Sequence, residues 1–115
     1  MGCGRVGSAL AVTLDSAGHS VAVVDQDQSS FAKLPAGFGG QTVKGIGFDR
    51  DTLRAAGIEH ADAFAAVSSG DNSNILAARV ARETFSVDNV VARIYDPRRA
   101  EIYQRLGIPT VASVA

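Results

Sequence analysis

The amino-acid sequence predicts an α/β fold, a Rossmann-like, doubly wound parallel sheet with helices on both faces. Short apolar runs alternate with helix-forming segments along the chain. The apolar runs are continuous, which is typical of strands buried on both faces of a parallel sheet. A glycine pattern, G-x-G-x-x-G, spans residues 2–7 directly before the first apolar helical segment. These three observations indicate strand–helix–strand units that bind a nucleotide.

The composition limits the classes of protein to consider. The 115 residues are enough for one domain with a single core, and 46% of them are hydrophobic. The formal net charge of −1 gives no bulk attraction to nucleic acid or to an anionic membrane, so we expect no nucleic-acid partner. No apolar run approaches the ~20 residues that cross a bilayer. The single cysteine, Cys3, is typical of a reducing cytoplasm, and His19 and His60 are isolated, so we expect no metal site.

The glycines at residues 2–7 have separate tasks in a dinucleotide-binding unit. Gly2 makes the strand-to-helix turn, Gly4 lets the backbone approach a pyrophosphate, and Gly7 lets the helix pack closely on the strand. The helix N-terminus then directs its unpaired N–H groups at the phosphates. The candidate site also includes the residues between these glycines: Cys3, Arg5 and Val6. Taken alone, the pattern fits a glycine-rich turn equally well.

An acidic residue at the expected distance strengthens the nucleotide hypothesis. Asp25 ends the apolar run of the next strand, 18 residues past Gly7, where roughly 20 residues are typical for a carboxylate that binds an adenosine ribose. Gln26 follows it and joins the candidate site. The next basic residue is Lys33, so a 2′-phosphate would meet repulsion, which favours NAD(H) or a simple adenine nucleotide over NADP(H). The alternative for Asp25 is a helix cap or a turn residue.

The remaining elements follow one another with short loops. Helices are predicted at residues 5–17, 29–34, 51–56, 72–85 and 97–106. Strands are predicted at residues 21–24, 42–46, 63–67, 90–94 and 110–114. Glycines end several of the helices, and Ser29 or Ser30 caps the helix at residues 29–34.

The strand that should precede the glycine pattern is largely missing. About five apolar residues are expected there, but only Met1 precedes Gly2. This strand is central in the doubly wound order, and a sheet does not easily lose its middle. We therefore interpret residues 1–115 as one domain truncated at both ends, with Met1 as the last residue of that strand. The alternative is a chain in which the flanking strands close the gap.

Further candidate residues come from the carboxyl ends of the strands, where such folds bind ligands. They are Gly47, Phe48, Asp49, Ser68 and Arg93. For Asp49, and also for Asp71, capping of the following helix is an alternative role. Arg93 could bind phosphate or pair with a carboxylate. Four charged residues near the C-terminus are expected to form a solvated helix face: Arg98, Arg99, Glu101 and Arg105.

Four segments carry a family resemblance that is more specific than the glycines alone. They are MGCGRVGSALA (residues 1–11), VAVVDQD (21–27), GIGFDRDTLRAAGIEHADAFAAVSSGDNSNILAARVARE (45–83) and VVARIYDPRRAEIYQRLGIPTV (90–111). Together they resemble the TrkA-N domain, also called the RCK N-terminal domain, of potassium-uptake regulatory subunits. The resemblance covers nearly the whole chain.

The resemblance implies a regulatory subunit that binds NAD(H) or ATP/ADP, and not an enzyme. It implies a cytoplasmic location at the inner face of the cell membrane, through a partner that is a potassium transporter or channel. It also implies a homodimer or a larger ring. By resemblance, residues 2–7 hold the phosphates, Asp25 holds the ribose and Arg5 reaches the distal phosphates. Residues 47–48 and Ser68 flank the adenosine.

Two other hypotheses remain open. One is an enzyme, the cofactor-binding half of an NAD-dependent oxidoreductase, which needs an acid or base in reach of the nicotinamide. Its discriminating feature is whether a regulatory domain or a substrate domain follows Val114. The other is a structural fragment that binds nothing because its first strand is incomplete.

Overall fold

The computed structural model describes residues 1–112, in which parallel strands are flanked by helices. The strands are β1 (Ala22–Asp25), β2 (Gln41–Lys44), β3 (Ala63–Ala66), β4 (Asn89–Ile94) and β5 (Thr110–Ala112). The α-helices are α1 (Arg5–Ser16), α2 (Arg50–Ala55), α3 (Asp71–Arg79) and α4 (Pro97–Arg105). The predicted alternation of strands and helices is confirmed. The last two residues of the strand predicted at 110–114 lie outside the described residues.

All strand pairs in the described chain are parallel. β1 pairs with β2, with Val24 opposite Val43. β4 lies between β3 and β5, with Ala65 opposite Val91. Parallel pairing requires crossover connections, and the helices supply them. The predicted α/β fold class is therefore correct.

The first two residues join the two groups of strands. The Gly2 N–H donates to the Val24 carbonyl oxygen at 2.7 Å, and the Val67 N–H donates to the Met1 carbonyl oxygen at 2.8 Å. The Met1 α-amino group also donates to the Ala65 carbonyl oxygen at 2.8 Å. Met1 and Gly2 thus lie between β1 and β3, the position expected for the end of a central strand. The alternative in which the flanking strands close the gap is wrong, because β1 and β3 do not pair with each other.

Two short 3₁₀ helices depart from the sequence prediction. The predicted helix at residues 29–34 is a 3₁₀ helix, Gln28–Lys33, and its cap is Asp27 instead of a serine. The Asp27 carboxylate accepts hydrogen bonds from the N–H of Ser29 at 3.0 Å and from its hydroxyl at 2.7 Å. A second 3₁₀ helix, Ile58–His60, was not predicted, and it follows Gly57 at φ +90°.

The predicted helix at residues 72–85 changes its type part-way along. α3 ends at Arg79 and continues as a π-helix, Val80–Thr84. The Phe85 N–H donates to the Val80 carbonyl oxygen at 3.2 Å, which is the wider spacing of a π turn. Apolar spacing over one turn does not distinguish the two helix types, so the sequence predicted one continuous helix.

The core consists of two clusters of different size. Within residues 1–112, the larger cluster contains twelve buried residues, most of which come from β3, β4 and the helix that runs from α3 into the π-helix: Leu53, Ile58, Ala66, Ile75, Ala77, Ala78, Ala81, Val87, Val90, Ala92, Ile94 and Ile108. The smaller cluster contains Cys3, Ala11 and Val23, with partly buried apolar residues packed against it. Among the described residues, no helix is both long enough and apolar enough to cross a membrane.

Candidate functional site

A cleft of about 610 Å³ opens at the carboxyl ends of β1, β3 and β4. Its size lies within the range of roughly 300–1,000 Å³ that is usual for small-molecule sites. Ten residues that the sequence predicted for the site line this cleft: Gly2, Gly4, Arg5, Val6, Asp25, Gln26, Gly47, Phe48, Ser68 and Arg93. Three others do not line it: Cys3, Gly7 and Asp49. The fold therefore brings together most of the predicted residues at one place.

Two of the three glycines in the loop are required by close packing. Gly2 has φ +101°, and a Cβ atom there would lie 2.7 Å from the Ser68 nitrogen. A Cβ atom on Gly7 would lie only 1.8 Å from the Gly2 carbonyl oxygen. Gly4 differs, because no atom of residues 1–112 lies within 4 Å of where its Cβ would be. Gly2 and Gly7 thus serve the fold, whereas Gly4 leaves the loop backbone open to the cleft.

Arg5 is the first residue of α1 and lies exposed at the cleft. The helix cap, Gly4, makes no side-chain hydrogen bond, and the first turn holds no acidic residue. The N-terminal N–H groups of this helix therefore have no side-chain acceptor among the described residues. The Arg5 side chain likewise makes no hydrogen bond or ion pair with any residue from 1 to 112. Both features leave positive charge available at the cleft.

Asp25 ties the end of β1 to the glycine loop. One carboxylate oxygen accepts a hydrogen bond from the Cys3 N–H at 2.8 Å, and the other accepts one from the Asp27 N–H at 2.8 Å. The turn role that the sequence left as an alternative is therefore present. Each carboxylate oxygen has a second lone pair, so Asp25 can still accept from a ligand hydroxyl. Its ribose-binding role stays a prediction.

Cys3 lies behind the glycine loop and has no exposed surface. Burial, with the nearby Asp25 carboxylate, raises the pKa of its thiol, so the thiol is protonated at neutral pH. Burial also lowers the pKa of the Met1 α-amino group to about 6. Cys3 does not line the cleft, and the parts of the loop that do are Gly2, Gly4, Arg5 and Val6.

Asp49 caps a helix and lies outside the cleft, which corrects its place in the predicted site. Its carboxylate accepts hydrogen bonds from the Thr52 N–H at 2.9 Å and from the Thr52 hydroxyl at 2.8 Å. These two bonds lower the pKa of Asp49. Asp49 stands directly before α2, so its side chain turns back to the helix, whereas Ile46, Gly47 and Phe48 before it line the cleft.

Asn74 stabilises the wall of the cleft that is formed by the ends of β3 and β4. The sequence did not place it in the site. It is fully buried and joins the ends of two strands. Its amide oxygen accepts from the Ser68 N–H at 2.9 Å and from the Ser68 hydroxyl at 2.6 Å. Its amide nitrogen donates to the carbonyl oxygens of Ser68, at 2.9 Å, and Arg93, at 2.7 Å. The signal that could have revealed it is a polar asparagine beside apolar residues on a buried helix face.

Asp71 reaches the same wall from the start of α3. It is 8% exposed, and its carboxylate accepts hydrogen bonds from the N–H groups of Tyr95, at 2.7 Å, and Asp96, at 3.0 Å. The cap of α3 is Gly70, so the alternative role of Asp71 as a helix cap is wrong. Arg99 lies 3.8 Å from the Asp71 carboxylate, so this member of the predicted solvated face contacts a buried group.

Arg93 and Tyr95 form a stacked pair in the cleft. The central carbon of the Arg93 guanidinium lies 4.4 Å from the centre of the Tyr95 ring. Arg93 is half-buried, whereas 40% of Tyr95 is exposed. Tyr95 was not among the predicted site residues. In the part of the chain that the structure describes, no group of three or more His, Cys, Asp or Glu residues is placed to hold a metal ion.

The family is shown by comparison with known proteins. The family model of the TrkA-N domain matches residues 1–114. The chain belongs to the TrkA-N domain family. The resemblance predicted from the sequence is confirmed.

A named relative agrees with this TrkA-N assignment. The Trk system potassium uptake protein TrkA of Streptomyces coelicolor is 75% identical over 114 residues, which are 99% of this chain and 51% of that protein. The chain thus spans about half the length of that relative.

Two solved structures share the fold of this TrkA-N domain at 23% sequence identity. One is the Shewanella denitrificans Kef CTD in an AMP-bound form, with a TM-score of 0.81 over 97% of this chain and 68% of that chain. The other is the NAD(P)-binding domain of an exopolyphosphatase-related protein from Archaeoglobus fulgidus. It has a TM-score of 0.78 over 96% of this chain and 83% of that chain. They confirm the Rossmann-like fold.

Proposed function

We propose that this TrkA-N domain binds an adenine nucleotide, NAD(H) or ATP/ADP, in the cleft between β1 and β4. We propose further that it is the nucleotide-sensing part of a regulatory protein for a potassium transporter or channel. The observation that carries the proposal is the meeting of three features in one cleft. They are the open backbone at Gly4, the Arg5 guanidinium, which has no partner among residues 1–112, and the Asp25 carboxylate at the end of β1.

The chemistry of the cleft fits the parts of such a ligand. Phosphates suit the N-terminus of α1, where N–H groups and Arg5 supply positive charge. A ribose hydroxyl suits the Asp25 carboxylate. An adenine ring suits the apolar surface of Ile46 and Phe48, which are 47% and 37% exposed at the cleft.

The named relatives support the same ligand class and the same process. One solved structure with this fold is described as AMP-bound and another as an NAD(P)-binding domain. The Streptomyces relative is named a potassium uptake protein. On this basis we propose that the chain acts without catalysis, in the cytoplasm at the inner face of the membrane. Its proposed partners are a membrane transporter subunit and a second copy of itself, as a homodimer or in a larger ring.

Regulation follows if two nucleotides differ in their affinity for two arrangements of the assembled protein. A ligand shifts such an equilibrium only by its difference in binding free energy between the two states. The coupling is reciprocal, so the state of the transporter must also alter nucleotide affinity. The cleft is suited to this task because its walls come from separate strands, β1 on one side and β3 and β4 on the other.

Calorimetric titration with NADH, NAD, NADPH, ATP and ADP tests the binding step. Arg5→Ala should weaken the affinity for the preferred nucleotide about tenfold, since a charge-assisted bond to phosphate is lost. It should leave the melting temperature unchanged, because Arg5 has no partner in the described chain. Arg105→Ala is the matched control, because Arg105 pairs with Glu101 on α4 and does not line the cleft. Equal affinities of the Arg5→Ala variant and the unaltered chain would contradict the proposal.

Asp25 needs a test that separates binding from folding, because its carboxylate holds two backbone N–H groups. Asp25→Asn keeps an oxygen acceptor and removes the negative charge. The variant should bind NADH more weakly and lose much of the discrimination against NADPH, whose 2′-phosphate no longer meets a carboxylate. A purely structural defect would instead lower both affinities by the same factor.

The regulatory step requires the full-length protein. Arg5→Ala in that protein should alter nucleotide-dependent potassium uptake by cells, while Arg105→Ala should not. Oxidation of NADH coupled to reduction of a small-molecule substrate would instead favour the oxidoreductase hypothesis.

A further inference from the structure

The stacked pair lies at the carboxyl end of β4. Arg93 is the second-last residue of β4 and Tyr95 directly follows the strand, where the chain bends back so that the ring meets the Arg93 guanidinium. The distance of 4.4 Å between guanidinium carbon and ring centre is well within the ~6 Å typical of a cation–π contact. Both residues line the cleft. The Arg93 guanidinium is therefore stacked on the Tyr95 ring at the surface of the cleft that faces a ligand.

The backbone beneath this pair is fixed without help from the ring. The buried Asp71 carboxylate accepts the Tyr95 N–H at 2.7 Å, and the buried Asn74 amide donates to the Arg93 carbonyl oxygen at 2.7 Å. Neither bond involves the Tyr95 side chain. Replacement of the ring should therefore change the orientation of the Arg93 guanidinium and leave the backbone conformation unchanged.

The pair lies at the end of the cleft remote from Asp25. Met1–Gly2 and β3 lie between β1 and β4, so a strand spacing of about 4.8 Å places the two strand ends roughly 14 Å apart. Among the described residues that line the cleft, the guanidinium groups are those of Arg5 and Arg93, and the side-chain carboxylate is that of Asp25. A ligand whose ribose meets Asp25 thus extends its phosphates toward Arg93.

We propose that Tyr95 is a positioning residue for nucleotide recognition. Its ring holds the Arg93 guanidinium in the cleft, where the guanidinium pairs with a phosphate beyond the one attached to adenosine; this inference rests on the proposed nucleotide binding. A long arginine side chain loses rotamer freedom when it pairs with a ligand. Stacking removes part of that freedom before the ligand arrives, so less is lost on binding.

Titrations with ATP and AMP test this role, because only ATP carries the distal phosphates. Tyr95→Leu should weaken ATP binding about two- to fivefold, the range of an exposed cation–π contact, and leave AMP binding unchanged. Tyr95→Phe keeps the ring and should retain the ATP affinity of the unaltered chain. In an Arg93→Gln background, Tyr95→Leu should cause no further loss, because the ring acts only through Arg93. The melting temperature of each variant is measured to check that its fold is intact.

Three outcomes would overturn the inference while nucleotide binding itself stands. They are an equal loss of ATP and AMP affinity in Tyr95→Leu, a failure of Tyr95→Phe to retain ATP affinity, and a further loss in the Arg93→Gln background. If the unaltered chain binds neither nucleotide, the proposed function fails and the inference fails with it.

Discussion

The two sides of the cleft are held together by different means. On the β3–β4 side, the buried side chains of Asn74 and Asp71 join two loops through hydrogen bonds, above the larger core cluster. On the β1 side, the glycine loop meets its neighbours through close backbone contacts and through one side chain, the Asp25 carboxylate, above a cluster of three buried residues. The β3–β4 wall therefore depends on buried polar side chains, whereas the β1 wall depends mainly on glycines whose missing side chains allow close backbone packing.

This difference means that equally small substitutions should act differently on the two sides. A methyl group added to the glycine loop should disturb packing or ligand access, depending on which glycine receives it. A buried polar group removed from the β3–β4 side should leave backbone groups without partners. The following predictions compare the two sides, from the largest expected effect to the smallest.

Gly7→Ala should give the largest loss of stability. The added Cβ would lie 1.8 Å from the Gly2 carbonyl oxygen, and a backbone atom cannot move away as a flexible side chain can. We expect the free energy of unfolding to fall by at least about 3 kcal/mol. Urea denaturation followed by circular dichroism measures this change.

Gly4→Ala is the matched control within the same loop. Its Cβ would have no atom within 4 Å, and its φ of −83° suits any residue, so stability should change by less than about 1 kcal/mol. Nucleotide affinity should nevertheless fall, since the methyl group enters the proposed path of the phosphates. If the two glycine variants were equally unstable, the separation of packing from access in this loop would be wrong.

Asn74→Leu should destabilise the other wall by about 2 to 3 kcal/mol, because buried groups of Ser68 and Arg93 lose their partners. Chemical denaturation of purified protein gives the value directly. Asn72→Leu is the control, because Asn72 is exposed on the same helix, and its effect should stay within about 0.5 kcal/mol. A similar effect of both substitutions would show that the amide bonds do not hold this wall.

The smallest effect concerns pH and the helix cap beside the cleft. The Thr52 hydrogen bonds lower the pKa of Asp49 in the folded chain, so their stabilisation is complete above the unfolded pKa of about 3.9. It is lost as pH falls through the lower folded pKa. Asp49→Asn keeps a capping side chain that does not titrate, so its melting temperature should fall less steeply between about pH 5 and pH 3.

Asp88→Asn supplies the control for the pH series. Asp88 is exposed and makes no hydrogen bond with a described residue, so Asp88→Asn removes one carboxylate without removing a helix cap, and Asp49→Asn should have the shallower acid curve of the two. Parallel acid curves for Asp49→Asn and the unaltered chain would mean that the cap does not supply the pH-dependent stability.

The sequence predicted the fold well where the signal was local. Continuous apolar runs indicated buried parallel strands, and the strand at β4 was predicted within one residue of Asn89–Ile94. It predicted the fold less well where two neighbouring residues suit the same role. Ser29 and Asp27 both suit a helix cap, and only the fold shows that Asp27 caps the 3₁₀ helix.

The candidate site shows the same limit. The glycine pattern and the spacing to Asp25 predicted one wall of the cleft, because both are fixed by a single strand–helix–strand unit. The other wall was predicted only in part, through Ser68 and Arg93. Asp71 contacts Tyr95, 24 residues further along the chain, and no local pattern reports such a contact.

The sequence by itself thus determined the order of the elements, the family and the residues of the glycine loop. Those properties depend on apolar periodicity, on turn residues and on the spacing of short motifs, which act over a few residues. Only the tertiary structure decided that Met1 and Gly2 join β1 to β3, that Asp49 faces a helix, and that Tyr95 supports Arg93. The physical reason is that side-chain direction and hydrogen-bond partners at a strand end depend on which distant segments pack there.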